Sequence, residues 1–100
     1  MALDIIRLTN EERVKFGLAP IEIDEGLMAV ARRRATEVVT NYSHDGMCVC
    51  AENIGGGRAR SANWFVDGWM NSPGHKENIM RDWAVRIGVG AYHLGVFHLS

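Results

Sequence analysis

The spacing of apolar residues differs between the earlier and later parts of this chain of 100 residues, and that difference restricts the possible folds. In separate segments before about residue 80, which are joined by an extended stretch at 18–23 and by loops, apolar residues recur at intervals of three and four, the period of a helix that buries one face. From residue 84 onward they alternate with other residues, as in a strand. Several helices followed by a late pair of strands predict an α+β domain, and a chain of this length provides one core.

Three helices are predicted before residue 72. The first ends at Gly17, which is a helix stop signal. The second begins after Asp24, a candidate N-cap, and runs to about residue 40 with the strongest apolar stripe. The third follows Ser61, and its aromatic residues are expected to fill the core together with Trp83. The apolar stripe of the second helix consists of Leu27, Val30, Ala31, Ala35, Val38 and Val39. The aromatic residues of the third helix are Trp64, Phe65 and Trp69.

A short fourth helix is predicted from Ser72 and Pro73, with Ser72 as its N-cap and Pro73 at its first position. Residues 84–91 and 94–99 then predict the two strands of a hairpin. Between the second and third helices, residues 51–57 end in three glycines, and the backbone can bend sharply there. The lysine and spacing of a phosphate-binding loop do not accompany these glycines.

The composition excludes several classes of protein. The net charge is −1, and the single basic run, at residues 32–34, is expected on a solvated helix face, so no nucleic-acid partner is expected. No apolar stretch is long enough for a transmembrane segment. The first residues do not resemble a signal peptide, which leaves an intracellular protein or a mature domain as alternatives. We expect a monomer rather than an oligomer.

Cys48 and Cys50 are the two cysteines of the chain, in a C-x-C spacing. Two thiolates are too few for a structural zinc site, which uses four ligands. A disulfide between them would be strained, and closing so short a loop would stabilise the fold little. A disulfide, two free thiols and a metal-binding role all stay open.

Three residues are candidates for chemistry. His44 follows Ser43 in a polar loop, Glu52 comes eight residues later, and His75 opens the short fourth helix. Imidazole and carboxylate groups bind first-row metals or act as general acids and bases. The helix dipole disfavours a charged His75, which keeps its imidazole neutral. A surface role for His44 and a helix-start hydrogen bond for His75 are the alternatives.

Several sequence motifs, taken in order along the chain, resemble those of the bacterial branch of the CAP superfamily. This superfamily comprises cysteine-rich secretory proteins, antigen 5 and pathogenesis-related 1 proteins. The most specific motif is W-x-x-S-P-G-H-x-x-N-I at residues 69–79. The others include Ser43-His44, Glu52-Asn53-Ile54 and Ile87-Gly88-Val89-Gly90. The resemblance implies a single CAP domain over residues 1–100. It also implies a three-layer α-β-α sandwich, with a small antiparallel sheet between two helical layers and a cleft on one side.

The resemblance also implies a set of cleft residues. In the family, two histidines and two acidic residues line the cleft and bind a divalent metal in several members. His44, Glu52 and His75 match three of these positions, Ser72 stands near the fourth, and Asn53 lies next to Glu52. A weak zinc site formed by His44, Glu52 and His75 is therefore expected, with a Kd of about a micromolar or above.

The function implied by the resemblance is a secreted or surface-associated module that binds a metal, a small ligand, a lipid or a peptide. One alternative is a peptidase-like hydrolase that uses Ser43 or Ser72 with a histidine, although no nucleophile elbow is visible. A structural domain with an unused cleft is the other, and a cytoplasmic location also stays open. The chain departs from relatives at His93 and Gly95, which replace an aromatic residue and an amide, and in a short loop before Glu52. These changes make catalysis the less favoured function.

Overall fold

The computed structural model describes residues 1–40, 43–44, 51–56, 60–91 and 94–99. These residues form four helices and four strands. In chain order the elements are α1 (Ala2–Lys15), β1 (Glu22–Ile23), α2 (Glu25–Thr40), β2 (Ala51–Gly56), α3 (Ala62–Met70), α4 (Pro73–Ile79), β3 (Arg86–Ala91) and β4 (Leu94–Leu99). In the described part of the chain, no helix has the length and apolar character needed to cross a membrane.

Helices cover both faces of the sheet. α2 packs against β3 and β4, while α1 contacts β3 and both α3 and α4 contact β2. Because side chains alternate along a strand, Ile87 and Val89 of β3 enter the main core, whereas Gly88 and Gly90 face the backbone of α2. The predicted α+β class and the three-layer α-β-α sandwich are confirmed.

The sheet is mixed, which corrects the expectation of an antiparallel sheet. Its strand order is β1-β3-β4-β2, and β4 pairs antiparallel with both β3 and β2. β1, however, pairs parallel with β3. A parallel pair needs a crossover connection, and α2 lies on the connection between these two strands. The predicted hairpin of β3 and β4 is confirmed by the pairing of Ala91 with Gly95.

The predicted helix boundaries depend on local signals that the structure confirms. Gly17, two residues after the end of α1, has a φ of +79°, a conformation that glycine adopts without strain. The Asp24 carboxylate accepts a hydrogen bond of 2.8 Å from the Leu27 backbone N–H. The Ser61 hydroxyl accepts one of 3.1 Å from the Trp64 backbone N–H. Both bonds satisfy donors that the start of a helix leaves free.

The aromatic residues divide between core and surface. Phe65 and Trp69 are buried, as predicted. Trp64 and Trp83 are 44% and 47% exposed, so the expectation that they fill the core was wrong. Trp64 lies one residue away from the Phe65 and Trp69 face of α3, which turns its ring toward solvent.

β2 is a strand that the glycine-rich sequence did not predict. Its six residues pair with β4 from Ala51 opposite Leu99 to Gly56 opposite Leu94. The glycine at position 55 is needed for packing, because a Cβ there would lie 2.6 Å from a ring carbon of Phe65. Long-range pairing therefore outweighs the low strand propensity of glycine.

Arg13 connects α1 to the end of α4, although its side chain is almost fully buried. Its Nη1 donates to the carbonyl oxygens of Ile79 and Arg81 at 2.8 Å, and its Nε donates to the carbonyl of Ala19 at 2.9 Å. A cation is favourable at the C-terminal end of a helix, where the last carbonyls are free. These bonds position α4, which carries His75.

Candidate functional site

The candidate site lies where β2 meets α4. In α4, Asn78 Nδ2 donates to the Glu52 carbonyl at 3.3 Å and to Asn53 Oδ1 at 2.9 Å. Asn53, which is fully buried, donates from Nδ2 to the His75 carbonyl at 3.0 Å. The two asparagines satisfy polar groups along the outer edge of β2 and hold α4 against that strand.

The carboxylate of Glu52 is fully buried and is bound by Arg34. Arg34 Nε donates to Oε2 and Nη2 to Oε1, both at 2.9 Å, in the bidentate geometry that suits a guanidinium. Arg34 also donates to Glu37 Oε2 at 2.8 Å and to the Ser43 carbonyl at 2.9 Å. The hydrogen bonds to Glu52, followed by those to Glu37, raise the pKa of the Arg34 guanidinium above its usual range, against the effect of burial. The cation therefore compensates the buried negative charge.

Arg34 is the residue of this site that sequence reasoning missed. The run at residues 32–34 was expected to face solvent, which holds for Arg32 and Arg33 but not for Arg34, which is 1% exposed. A signal was available, because Arg34 follows Ala31 by three residues and so falls on the buried side of α2. A buried cation requires a buried anion, and Glu52 was a candidate for that role.

His44 lies at the exposed end of the same cluster. Its Nδ1 is 2.8 Å from Glu52 Oε1, and over half of its side chain is exposed. Since an ionised carboxylate only accepts hydrogen bonds, the imidazole donates its Nδ1–H. In the neutral imidazole this leaves Nε2 as an acceptor.

His75 contacts Ser72 instead of the His44 and Glu52 pair. His75 Nδ1 lies 2.8 Å from Ser72 Oγ. Ser72 occupies the N-cap position of α4 as predicted, but its hydroxyl makes no capping hydrogen bond to the backbone. The prediction that Ser72 makes a capping bond is therefore wrong, because its hydroxyl forms a hydrogen bond with the His75 imidazole instead. Burial lowers the pKa of His75, and the charge of a protonated His44 lowers it further.

Replacing His44 with asparagine should raise the pKa of His75. The substitution removes the cationic charge that disfavours protonation of the second imidazole. The measurement is an NMR pH titration of the His75 ring protons. Lys76→Met is the control, because Lys76 lies over the Phe16 ring and contributes no shift to His75. An unchanged pKa in the His44→Asn variant would contradict the proximity of the two imidazoles.

The lowered pKa of His75 also makes stability depend on pH. The unfolded chain, in which histidine has a pKa of about 6.5, binds this proton more readily than the folded protein. Stability should therefore fall as the pH drops through about 6.5 and should stop falling below the folded-state pKa. Denaturation midpoints between about pH 5 and pH 8 measure this effect, and His75→Gln should remove the contribution.

The predicted metal ligands fit a metal only in part. Both carboxylate oxygens of Glu52 accept from Arg34, so a divalent cation bound to them would lie against a guanidinium cation. Among the residues that the structure describes, no group of three His, Cys, Asp or Glu side chains is placed to hold a metal ion. The hydrogen bonds of the two histidines use Nδ1 in each case, which leaves the Nε2 atoms of His44 and His75 as the remaining candidate donors. Cys48, Cys50 and His93 lie outside the described residues.

A cavity of about 290 Å³ opens beside His75. Its floor is apolar, its rim carries an exposed tryptophan, and one wall is polar. The residues in these three parts are Ile54, Phe65 and Trp69 in the floor, Trp64 at the rim, and Ser72 and His75 in the wall. The site therefore combines a hydrogen-bonding pair with space for a small apolar group.

Comparison with known proteins agrees with the motifs. The profile of the family described as "CAP: Cysteine-rich secretory protein family" matches residues 6–96. The uncharacterized protein YkwD of Bacillus subtilis (strain 168) is 31% identical to this chain over 109 residues. That alignment covers 91% of this chain but 42% of YkwD, so the chain spans less than half of that relative.

Two solved structures have a similar fold. An extracellular protein containing a SCP domain from Bacillus anthracis str. Ames gives a TM-score of 0.86 at 22% identity, over 98% of this chain and 39% of that protein. An outer surface protein from Borrelia burgdorferi gives a TM-score of 0.72 at 22% identity, over 95% of this chain and 86% of that one. At 22% identity, these similarities show a shared fold. Because the family profile covers most of the sequence, the chain belongs to the CAP, or cysteine-rich secretory protein, family.

Proposed function

We propose that this CAP domain is an extracellular or surface-associated binding module whose ligand lies against the two histidines of the cleft. The location is supported by two relatives of similar fold, one named as an extracellular protein and the other as an outer surface protein. The chain spans only 39% of the first of these proteins and 42% of YkwD. The function of the longer relatives is therefore extended to this chain only as part of the proposal.

The ion pair beneath His44 is the observation that carries this proposal. A buried Arg–Glu pair costs desolvation energy, and apolar residues often give equal or greater stability in its place. Here Arg34 holds Glu52 at 2.9 Å, and Glu52 holds the exposed His44 at 2.8 Å. The pair thus positions a solvent-accessible imidazole, which is useful for binding because a fixed side chain loses little entropy when a ligand arrives.

The second imidazole is positioned in a similar way. Ser72 engages Nδ1 of His75, and the backbone of His75 is held by Asn53. Within the described residues, Nε2 of neither histidine has a hydrogen-bond partner. Two imidazole nitrogens are therefore available to a ligand, one from His44 beside β2 and one from His75 in α4.

Zinc is the probe that tests these two nitrogens directly. Calorimetric titration should give a Kd of about a micromolar or weaker for the wild-type protein, since the Glu52 carboxylate is engaged by Arg34. The His44→Ala, His75→Ala double variant should lose this binding, whereas Glu11→Ala, an exposed carboxylate on α1, serves as the control. Unchanged zinc affinity in the double variant would contradict the proposal and would direct attention to Cys48 and Cys50.

A hydrolase is the second candidate, because Ser72 Oγ and His75 Nδ1 lie at hydrogen-bond distance. In a serine triad a carboxylate orients the imidazole, and in the described part of the chain Glu52 contacts His44 rather than His75. The pair is therefore better suited to binding than to nucleophilic attack. Hydrolysis of p-nitrophenyl acetate that disappears in Ser72→Ala but persists in Ser61→Ala would favour the hydrolase instead.

A further inference from the structure

The cavity beside His75 is open because α3 carries a glycine at its rim. Trp64 and Gly68 lie one helical turn apart, and Ser72 follows at the start of α4. A Cβ at Gly68 would meet no atom within 4 Å. The missing side chain therefore leaves a space between the Trp64 ring and the Ser72 hydroxyl.

The inner surfaces of this space are aromatic. The Phe65 and Trp69 rings lie 5.9 Å apart, and both residues line the cavity with the small part of their surface that is not buried. The Trp64 ring stands at 86° to the Phe65 ring, with 5.2 Å between the centroids. A flat ring that enters the cavity would meet ring faces and edges in the arrangements that aromatic pairs prefer.

One wall of the cavity is polar, and a cation lies over Trp64 at its rim. Ser72 and His75 form a neutral hydrogen-bonding pair in one wall. At the Trp64 side, the guanidinium of Arg60 lies 4.9 Å from the Trp64 ring centroid. Arg60 is exposed and, among the described residues, makes no ion pair with a carboxylate. This charge favours an anionic group on the ligand.

The volume of the cavity suits a small ligand. At about 290 Å³ it lies at the lower end of the volumes of ligand pockets, about 300–1,000 Å³. It has room for one aromatic ring with one or two short substituents.

We propose that this cavity binds a hydroxyaryl carboxylic acid. The ring lies on Phe65 and Trp69, the hydroxyl group faces the Ser72 and His75 pair, and the carboxylate faces Arg60. The inference goes beyond the proposed two-histidine site, because it adds a ligand subsite in the cavity beside His75. A free small acid and a tyrosine at the C-terminus of a peptide share this chemistry.

The test is a titration with 4-hydroxyphenylacetate, followed through the indole N–H signals of the three tryptophans in ¹H–¹⁵N NMR spectra. We expect saturable shifts of Trp64 and Trp69 with a Kd on the order of 1 mM, as for a ligand of this size. Trp83 is the internal control, because it does not line the cavity and Arg81 lies over its ring. Shifts that do not saturate, or equal shifts of all three signals, would overturn the proposal.

Related probes separate the contributions of the polar groups. Para-cresol lacks the carboxylate and phenylacetate lacks the hydroxyl group, so both should bind more weakly than 4-hydroxyphenylacetate. Arg60→Ala should weaken the binding of the acid severalfold without changing that of para-cresol. If the natural ligand is the C-terminal tyrosine of a peptide, the tripeptide Gly-Gly-Tyr should bind more tightly than 4-hydroxyphenylacetate. If the natural ligand is a free small acid, the tripeptide should bind more weakly. Equal affinity of all these probes would overturn the assignment of the ligand class.

Gly68→Leu tests the cavity itself. The leucine side chain enters the open space, so the affinity for 4-hydroxyphenylacetate should fall at least about tenfold. Since leucine is a better helix former than glycine, the thermal midpoint should stay the same or rise, which separates lost binding from lost folding. Asn63→Leu, at an exposed position of the same helix outside the cavity, is the matched control. Unchanged affinity in Gly68→Leu would overturn the proposal.

The outcome is distinguishable from a failure of the proposed function. His44 does not line this cavity, so the absence of zinc binding would leave the tryptophan shifts in place. Conversely, zinc binding without tryptophan shifts would support the proposed histidine site and would overturn the proposed aromatic ligand.

Discussion

Replacing Arg34 with methionine should destabilise the protein by about 3–5 kcal/mol. The variant keeps an apolar stem of similar length but leaves the fully buried Glu52 carboxylate without its bidentate partner. His44 still contacts Glu52, but an exposed imidazole replaces little of what a buried charge loses with its bidentate cation. Urea denaturation followed by circular dichroism measures the free energy of unfolding.

Arg33→Met is the matched control for this experiment. Arg33 is its exposed neighbour on α2, and its 3.4 Å ion pair with Glu37 is open to solvent. Such a pair contributes about 0–1 kcal/mol, so the control should differ little from wild type. The Arg34→Met, Glu52→Leu double variant should recover much of the loss, because it removes both charges. Equal stability of the Arg34 and Arg33 single variants would contradict the buried pair.

Replacing Gly88 with alanine should destabilise the protein by about 3 kcal/mol. Gly88 faces α2, and a Cβ there would overlap the backbone atoms of Leu27 and Met28. Backbone atoms of a packed helix cannot rotate away as a side chain does, so α2 must shift as a unit. Because α2 carries Arg34, the shift should also disturb the Glu52 and His44 contacts.

Gly74→Ala provides the comparison, since a Cβ at that position would meet no atom within 4 Å. There the better helix propensity of alanine should leave stability unchanged or raise it by up to about 1 kcal/mol. Thermal denaturation of the two variants, side by side, gives the difference. If both variants had wild-type midpoints, the close approach of α2 to β3 would be wrong.

Much of the fold was predictable because its helices are specified by short-range signals. Asp24, Ser61 and Gly17 each act within three or four residues of their own position, through a capping bond or a backbone conformation. The hairpin of β3 and β4 follows from alternation and a short connection. β2 was not predictable in this way, because it is a strand only through its pairing with β4, which lies far along the chain.

The motifs of the sequence identified His44, Glu52, Ser72 and His75 as candidate site residues, but not the contacts among them. The hydroxyl of Ser72 was assigned to the helix backbone, and it contacts His75 instead. The positions of both histidines depend on tertiary contacts, of His44 with the Glu52 carboxylate and of α4 with β2. Propensity and capping rules do not include such contacts.

The helices, the late hairpin and the membership of the CAP family can thus be read from the amino-acid sequence, since they depend on local signals and on ordered motifs. The partner of Arg34, the parallel pairing of β1 and the aromatic cavity at Gly68 depend instead on tertiary packing. Each of them joins residues that are far apart along the chain. Arg34 and Glu52 are separated by 18 residues, and only the packing of α2 onto the sheet brings their charges together.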